Sequence, residues 1–296
     1  MHELVTVVIT TYKRPVEILS RAVTSVINQT YENVELFVVD DNRDDDTCIL
    51  IKNYIDNLDN VKVHYIKNGE PHGACSARNR GALAGKGKYI AFLDDDDEWK
   101  DSKLQEMLPA ITGDIGFVYC GMDTYREEKK IEDSSIVKIG SNLEYQILKG
   151  NFIGGCSIPV IKKDLFHRIG MFDNEMQSCQ DWDLWIRVIK NSSITYLEKP
   201  LVNYYITDNS ITRNYKKQNA GRLRILEKYK ADYCKYPELK ERIVNAVIIT
   251  KILDNDYRGA MIDYRNLYRG MKQFTHLPIV IKAFVKKFIN AIRGYN

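Results

Sequence analysis

The sequence lacks any continuous apolar run of the ~18 residues that a membrane-spanning helix needs. Its apolar residues come in short blocks, such as LVTVVIT at residues 4–10. This excludes an integral membrane protein. The start of the sequence also lacks a charged segment followed by an apolar stretch and a small-residue cleavage site. We therefore expect no secretion signal and a cytoplasmic location.

Paired cysteines are missing as well. The six cysteines form no CxxC pattern and no zinc-type spacing. A chain of 296 residues can bury a core without disulfide staples, so reduced thiols are expected. Two glycine patterns of nucleotide-binding loops, GxxxxGK followed by Ser or Thr and GxGxxG, do not occur. Their absence disfavours a P-loop and a dinucleotide-binding fold.

The charge balance hides an asymmetry. With 44% hydrophobic and 28% charged residues the composition is that of a globular protein, which excludes disordered, collagenous and coiled-coil classes. The segment 264–296 has no acidic residue and seven basic ones. Because the whole chain carries +3, the first 263 residues carry −4. Nothing in this acidic body suggests a base-reading surface, so nucleic acid is not expected as a partner.

The basic end of the chain has a helical apolar stripe with lysines on the opposite side. The stripe follows the spacing i, i+3, i+4, i+7, i+8 and i+11: Ile281, Phe284, Val285, Phe288, Ile289 and Ile292. Such a helix suits an anionic membrane surface, which would place the protein at the inner face of the cell membrane through residues 277–296. Packing against the body, or against another copy in a homo-oligomer, also suits it and is slightly favoured. Both interpretations stay open.

Short β-branched runs alternate with helical patterns over the first hundred residues. Strands are predicted at 4–10, 34–39, 61–66 and 89–93, and helices at 15–29, 47–58 and 74–83. This alternation predicts an α/β fold with a doubly wound, mostly parallel sheet, whose ligands bind beyond the carboxyl ends of the strands. From Tyr215 onward the segments are helical in period. We therefore predict an α/β domain at 1–214 and a helical, basic extension at 215–296.

An acidic cluster, LDDDDEW, follows the fourth predicted strand. A dense charge run is often only a solvated loop. Here it lies where an α/β sheet presents its ligands, and apolar residues flank it on both sides. Carboxylates held in this way suit a hard divalent cation that also binds phosphates. The sequence therefore predicts Mg²⁺ or Mn²⁺ at this edge, where it would neutralise charge on a leaving diphosphate.

Five segments occur in a fixed order: TTYKRP after the first strand, VVDDN after the second, ARNRG on the third helix, YIAFLDDDDEW at the fourth strand, and QDWDLWIR near residue 180. In this order they resemble the family 2 glycosyltransferases of the GT-A fold, which are inverting enzymes that use nucleotide-activated sugars. The resemblance covers about residues 4–210. It implies a GT-A fold for the predicted α/β domain.

The resemblance implies roles for the acidic cluster. In the family, the DxD element after the fourth strand holds the metal and the donor diphosphate. Asp94 and Asp95 would contact the donor ribose and sugar. Asp96 would be the direct ligand of Mn²⁺ or Mg²⁺, with Asp97 as the alternative register.

The donor nucleotide would lie against the first two strands and the third helix. The resemblance implies that Asp41 accepts a hydrogen bond from the base, commonly uracil in the family, with Asp40 as the alternative. Arg78 resembles the family arginine that approaches the nucleotide, since a guanidinium fork suits phosphate or carbonyl oxygens. Three residues would line the nucleoside: Thr10, Thr11 and Tyr12.

The QDWDLWIR segment implies the general base. In the family this motif usually reads Glu-Asp, and its Asp takes the proton from the acceptor hydroxyl. Asp181 is that position, with Asp183 as the competing candidate. Gln180 departs from the pattern, which puts in doubt any helper role of the usual Glu. Gly154 and Gly155 resemble the family segment that lines donor sugar and acceptor, where glycine permits close backbone approach.

Together these resemblances imply a metal-dependent, inverting glycosyltransferase of the hexosyltransferase type. It would move a sugar from a nucleotide-diphosphate sugar, first of all a UDP-sugar, to a hydroxyl of a glycan or lipid-linked acceptor in bacterial surface polysaccharide synthesis. Two alternatives stay open: a catalytically inactive module that binds sugar nucleotides or glycans, and a sugar-phosphate nucleotidyltransferase. The latter would need a glycine-rich basic loop after the first strand, where TTYKRP has Lys13 and Arg14 but no glycine.

Overall fold

The structure is a computed structural model that describes residues 3–58, 62–70, 72–126, 129–132, 136–206 and 215–267. The chain divides into two compact units. The first unit holds Met1–Glu175 and Gln180–Asp208, and the second holds Met176–Cys179 and Asn209–Asn296. The predicted boundary between residues 214 and 215 stays a prediction.

Strands and helices alternate through the first third of the chain, as predicted. In chain order they are β1 (Val5–Thr11), α1 (Val16–Ile27), β2 (Val34–Asp40), α2 (Asp45–Asp56), β3 (Val63–Lys67), α3 (Ala74–Ala84) and β4 (Tyr89–Asp94). The first, second and fourth strands are buried along nearly their whole length, as expected for β-branched runs covered on both faces. The α/β class is therefore confirmed.

The rest of the first unit mixes short helices with strands that pair in both directions. In chain order the elements are β5 (Glu98–Trp99), α4 (Lys103–Met107), a single helical turn at Leu108–Ala110, β6 (Ile115–Arg126), β7 (Lys129–Glu132), α5 (Leu143–Lys149), β8 (Val160–Lys162), α6 (Lys163–Arg168), α7 (Gln180–Asn191) and β9 (Ser193–Ile206). Strand β6 extends to Arg126, and both β9 and β7 pair with its second half.

All the strands join one mixed sheet in the order β3-β2-β1-β4-β8-β6-β9-β5, with β7 at the side of β6. The long pairings, β1 with β2 and β4, β2 with β3, and β6 with β9, are parallel. The shorter pairings of β8, β5 and β7 are antiparallel. The strand order reverses between β1 and β4, and this switch point is where an α/β sheet opens a crevice for ligands.

Helix α3 packs closely on the sheet because its residues are small. Its sequence, ACSARNRGALA, buries most of its side chains. A Cβ added to Gly81 would lie 2.4 Å from Cγ1 of Val8 and 3.0 Å from Cγ2 of Val39, on β1 and β2. Only glycine permits this approach. Arg78, on the same helix, is buried and contacts Asp94 at the end of β4.

From Tyr215 to Leu267 the second unit is built of helices, which confirms the predicted helical extension. Its helices are α8 (Tyr215–Lys228), α9 (Lys230–Lys235), α10 (Pro237–Leu253) and α11 (Tyr257–Leu267). Its core joins Val244, Ile248, Ile252 and Ala260. The apolar stripe predicted at 281–292 lies outside the described residues. None of the helices within the described ranges is long and apolar enough to cross a membrane.

Candidate active site

The carboxyl ends of β1, β2 and β4 meet at the switch point of the sheet. Thr10 is in register with Asp94 on one side, and Thr11 is in register with Asp40 on the other. Because the three strands are parallel, the residues that follow them reach the same edge. The structure thereby brings together the first, second and fourth motifs of the sequence.

Three polar groups surround the Asp41 carboxylate. Its Oδ1 accepts from Asn68 Nδ2 at 2.7 Å and lies 2.9 Å from His72 Nδ1, and its Oδ2 accepts from Gly73 N at 2.9 Å. Asp40 is fully buried and accepts from the backbone and side chain of Asn42 and from the hydroxyl of Tyr65. Asp40 is therefore part of the interior.

The residues after β1 form a tight turn. Lys13 takes a φ of +52°, a left-handed conformation that is unfavourable for a residue with a Cβ. Its N–H donates to Asn42 Oδ1 at 2.7 Å, which holds the turn against the end of β2. Thr11 is buried and its carbonyl accepts from Asp41 N, whereas Tyr12 is half exposed. An exposed ring at this edge can contact a ligand.

Arg14 reaches from this turn to the acidic cluster. Its Nε donates to Asp95 Oδ1 at 2.9 Å, and its Nη2 donates to Asp96 Oδ2 at 2.8 Å. Arg21 donates to the backbone carbonyl of Asp96 and lies over the ring of Tyr205, with the guanidinium carbon 3.6 Å from the ring centroid. The sequence reasoning missed both arginines as site residues. The sequence signal for Arg14 is a basic residue in the short turn between β1, which ends at the site, and α1.

Asp97 points inward. Its Oδ2 accepts from Ser157 Oγ at 2.6 Å, its Oδ1 accepts from Tyr205 N at 3.3 Å, and burial raises its pKa well above the usual range. Ser157 Oγ also accepts from Asp94 N at 3.0 Å. The Asp96 side chain, by contrast, is 19% exposed. This placement favours Asp96 over Asp97 as the ligand of an added cation.

Burial disfavours the charged form of the carboxylates in the acidic cluster. Burial, together with the charge of Asp94, raises the pKa of Asp96 to about 6 despite the opposing Arg14. Burial also raises the pKa of Asp95. Among the described residues, no three histidine, cysteine or carboxylate side chains converge on a common metal position. One or two carboxylates plus substrate phosphates suffice for Mg²⁺, so the cluster fits a divalent cation that arrives with a diphosphate.

Arg78 links the acidic cluster to the start of α7. Its Nη2 donates to Asp94 Oδ1 at 2.7 Å, and its Nη1 donates to Gln180 Oε1 at 2.9 Å. The guanidinium carbon lies 5.4 Å from the centroid of the Phe172 ring. Gln180, where the resembling motif has Glu, thus supplies an amide oxygen to the arginine. One side chain therefore fixes both sides of the crevice.

Asp181 is the carboxylate next to this link. Its Oδ2 accepts from Asn151 Nδ2 at 3.0 Å, and its Oδ1 accepts from Trp182 N at 2.8 Å. Burial raises its pKa to about 6, although the Trp182 N–H and the Arg78 charge both act to lower it. At neutral pH the group is ionised and is more basic than an ordinary aspartate. These are the properties of a general base.

Asp183 has a different environment. It is fully buried, and its Oδ2 accepts from Arg187 Nη2 at 2.6 Å. Arg187 Nη1 donates in turn to the carbonyls of Ile169 and Met171. Asp183 therefore belongs to an internal ion pair that anchors α7 to the preceding loop, which favours Asp181 as the reacting group.

The two predicted glycines lie in the loop beside Asp181. Gly154 has a φ of +99°, and both its N–H and its carbonyl bond to the side chain of Asn151. Its carbonyl also accepts from Trp185 Nε1 at 2.9 Å. A Cβ added to Gly155 would meet no atom within 4 Å. Gly154 therefore shapes the loop that holds Asn151, and Gly155 leaves open space beside it.

Tyr204 is a further site residue that the sequence reasoning missed. It is half-buried near the end of β9, and neighbouring Tyr205 stacks on Tyr125 with ring centroids 5.1 Å apart. Burial, and then the charges of Asp97, Asp96, Asp94 and Asp181, raise the pKa of Tyr204 to about 12. Its phenol therefore stays protonated, and the N–H of the adjacent Tyr205 donates to Asp97 in the acidic cluster.

Comparison with known proteins gives the family and the fold of the chain. The family model described as Glycosyl transferase family 2 matches residues 6–170, which is more than half of the chain. This range includes all of β1 but its first residue, then β2 to β4, the acidic cluster and the glycine loop.

Two curated relatives have names that describe an activity. TuaG of Bacillus subtilis, a glycosyltransferase named for teichuronic acid biosynthesis, is 28% identical over 192 residues, covering 64% of this chain and 74% of TuaG. WfgD of Escherichia coli, a UDP-Glc:alpha-D-GlcNAc-diphosphoundecaprenol beta-1,3-glucosyltransferase, is 28% identical over 202 residues, covering 66% of this chain and 75% of WfgD.

Two solved structures have the same fold. TarS 1–349 of S. aureus, in complex with UDP-GlcNAc, aligns with a TM-score of 0.59 at 17% identity, over 75% of this chain and 66% of that one. The chain thus spans just under two thirds of the TarS fragment. The mannosyltransferase PcManGT of Pyrobaculum calidifontis, in complex with GDP-Man and Mn²⁺, aligns with a TM-score of 0.64 at 13% identity, over 100% of this chain and 82% of that one. The predicted GT-A fold is confirmed.

Proposed function

The chain belongs to glycosyl transferase family 2, and from this premise we propose that it transfers a hexose from a UDP-sugar to a hydroxyl of a glycan or lipid-linked acceptor, with inversion at the anomeric carbon. We place this reaction in bacterial surface polysaccharide synthesis, at the cytoplasmic face of the membrane. The names of TuaG and WfgD support that assignment.

One observation carries the proposal: Arg78 contacts both Asp94, at the donor side, and Gln180, next to Asp181. A donor diphosphate at the acidic cluster would therefore lie within reach of the carboxylate that activates the acceptor. Holding both reactants in one crevice replaces a bimolecular encounter by a positioned one. This arrangement suits transfer better than simple binding of a nucleotide.

Asp181 would be the general base. Asn151 and the Trp182 N–H each occupy one of its oxygens, which fixes the direction of the carboxylate. The acceptor hydroxyl would give its proton to Asp181 as its oxygen attacks the anomeric carbon, and the bond to the diphosphate would break on the opposite face. The pKa of about 6 keeps the base ionised at neutral pH while preserving its basicity.

Asp41 would recognise the base of the nucleotide. An ionised carboxylate has about four acceptor positions. Asn68, His72 and Gly73 approach three of them, so one position is left for the N–H of uracil. Thr10, Thr11 and Tyr12 would line the nucleoside along the end of β1, where Tyr12 offers an exposed ring.

Asp96 would hold Mn²⁺ or Mg²⁺, while Asp94 and Asp95 would contact the donor ribose and sugar. When bound, the cation would neutralise charge that develops on the leaving diphosphate. The Asp96 side chain is 19% exposed at the edge of the sheet, and this accessibility supports the assignment. Gly154 and Gly155 would border the sugar and the acceptor, since the loop leaves open space at Gly155.

Replacing one carboxylate oxygen of the proposed general base, Asp181, tests the proposal. Asp181→Asn should abolish sugar transfer, because the amide accepts no proton, and should leave UDP binding within about twofold of wild type. Transfer would be measured as UDP release in the presence of acceptor and Mn²⁺, and binding by calorimetry. Transfer by the variant at close to the wild-type rate would show that Asp181 is not the base.

The donor must be identified first. A thermal-shift screen of UDP-, GDP- and dTDP-sugars with Mn²⁺ should select a UDP-sugar. A larger shift with another base would contradict the role given to Asp41.

Removal of residues 277–296 tests the membrane interpretation, because that variant should lose binding to anionic liposomes. Unchanged binding would favour packing of the segment on protein.

A further inference from the structure

Arg14 spans two carboxylates of the acidic cluster with two different nitrogens. The distances are 2.9 Å from Nε to Asp95 Oδ1 and 2.8 Å from Nη2 to Asp96 Oδ2. The side chain is only 22% exposed, so the contacts are partly shielded from water. Such charge-assisted contacts at a fixed fork are the strong kind of ion pair. The proposed metal ligand, Asp96, therefore already has a cationic partner in the chain itself.

The backbone around Arg14 directs it at the acidic cluster. Lys13 takes a left-handed φ of +52° and is held by Asn42, and Pro15 fixes the entry into α1. A left-handed residue with a Cβ persists only where its surroundings hold it there. Asn42 follows β2 and Asp96 follows β4, so three loops of the same sheet edge determine the position of the guanidinium.

We propose that Arg14 is a resident counter-cation that competes with the divalent cation for the carboxylate of Asp96. The inference rests on the proposed metal site at Asp96. In the absence of nucleotide, Arg14 occupies one of the carboxylate oxygens and offsets part of the charge that would attract the metal. The diphosphate of the donor brings additional anionic oxygens, so the cation binds tightly only together with the donor. The cation and the nucleotide would therefore bind cooperatively.

The other nearby arginines make different contacts. Arg21 bonds to the backbone carbonyl of Asp96 and lies on the ring of Tyr205. Arg21 therefore places the same positive charge as Arg14 beside Asp96, but it does not contact the Asp96 carboxylate. Arg78 is engaged by Asp94 and Gln180. Arg21 is thus a matched control that separates direct occupation of Asp96 from the general effect of a positive charge.

Mn²⁺ binding to the full chain without nucleotide tests the proposal, with free Mn²⁺ measured by electron paramagnetic resonance. Arg14→Met should bind Mn²⁺ roughly tenfold more tightly than wild type, because the competitor and its charge are both removed. Arg21→Met should gain roughly threefold or less. Arg14→Lys, which keeps the charge but loses the fork, should lie between wild type and Arg14→Met. The lysine variant preserves the test if the methionine variant does not fold.

Two results would overturn the inference: Arg14→Met binding Mn²⁺ no more tightly than wild type, or gaining no more than Arg21→Met. Asp96→Asn separates this failure from a failure of the proposed metal site, because it should lose most Mn²⁺ binding. If Asp96→Asn binds Mn²⁺ as wild type does, the metal site itself is wrong. If it loses binding while Arg14→Met stays at the wild-type affinity, only the role of Arg14 is wrong.

Discussion

Lys103→Met is expected to stabilise the first unit. Lys103 opens α4, its side chain is fully buried, and within the described part of the chain its ammonium has no hydrogen-bond partner. It lies 4.1 Å from the centroid of the Trp99 ring. Burial lowers its pKa from 10.5 to about 8, although the nearby Cys120 acts in the opposite direction. The interior therefore disfavours the charged form.

The magnitude follows from this pKa difference. At 1.36 kcal/mol per pKa unit, a change from 10.5 to about 8 corresponds to about 3 kcal/mol. The aromatic face of Trp99 returns up to about 2 kcal/mol of this through cation–π attraction. Methionine fills a similar volume without a charge. We expect Lys103→Met to raise the free energy of unfolding by about 1 to 3 kcal/mol at neutral pH.

The effect should depend on pH. Between about 8 and 10.5 the unfolded chain holds a proton on Lys103 that the folded chain has lost, so wild-type stability rises with pH in this window. Below about 8 both states are protonated and the cost of burying the charge is fully present. The advantage of the variant is therefore largest at neutral pH and shrinks as the pH approaches 10.5.

The assay is denaturant unfolding followed by tryptophan fluorescence. The three tryptophans, Trp99, Trp182 and Trp185, all lie in the first unit, so the signal reports that unit alone. Lys52→Met, at an exposed position, is the control and should change stability by less than about 0.5 kcal/mol. A destabilised Lys103→Met, or an advantage that stays constant between about pH 7 and pH 10, would refute the reasoning.

Three further outcomes are expected. Gly81→Ala should cost about 1 to 3 kcal/mol, because its Cβ would lie 2.4 Å from Val8 Cγ1; an unchanged denaturation midpoint would contradict this. Asp183→Ala leaves the charge of Arg187 unpaired and should cost about 3 to 5 kcal/mol in the same assay. Sugar transfer should fall as the pH drops through about 6, where Asp181 gains a proton. A flat rate profile across that range would exclude it as the base.

The first half of the fold could be predicted because its signals are local. The strand predicted at 34–39 is Val34–Asp40, and the helix predicted at 74–83 is Ala74–Ala84. The mixed part of the sheet, from β5 to β9, could not be predicted in the same way. Strand β8 has three residues, and it lies between β4 and β6 because of pairings that span many residues. A segment that short has no periodicity of its own.

The site was predictable where a motif directly follows a strand, and less so where a turn redirects a side chain. Asp94 and Asp41 follow from strand ends alone. The contacts of Arg14 depend on the left-handed turn at Lys13. One of these contacts joins Arg14 to Asp96, which is 82 positions away in the sequence. Asn151 had no signal of its own, because its role appears only once α7 is packed beside its loop.

The loop from Asn151 to Ser157 touches both halves of the crevice. Its first residue holds Asp181, and its last residue holds Asp97 and the N–H of Asp94. The length of this seven-residue loop therefore sets the separation between Asp181 and the acidic cluster. An insertion or deletion in this loop would shift the contacts of both Asn151 and Ser157. A substitution between these two residues would change the local surface and keep the loop length. If this loop borders the sugar as proposed, Gly155 is the position to vary for sugar preference, because an added Cβ there meets no atom within 4 Å and the number of residues is kept.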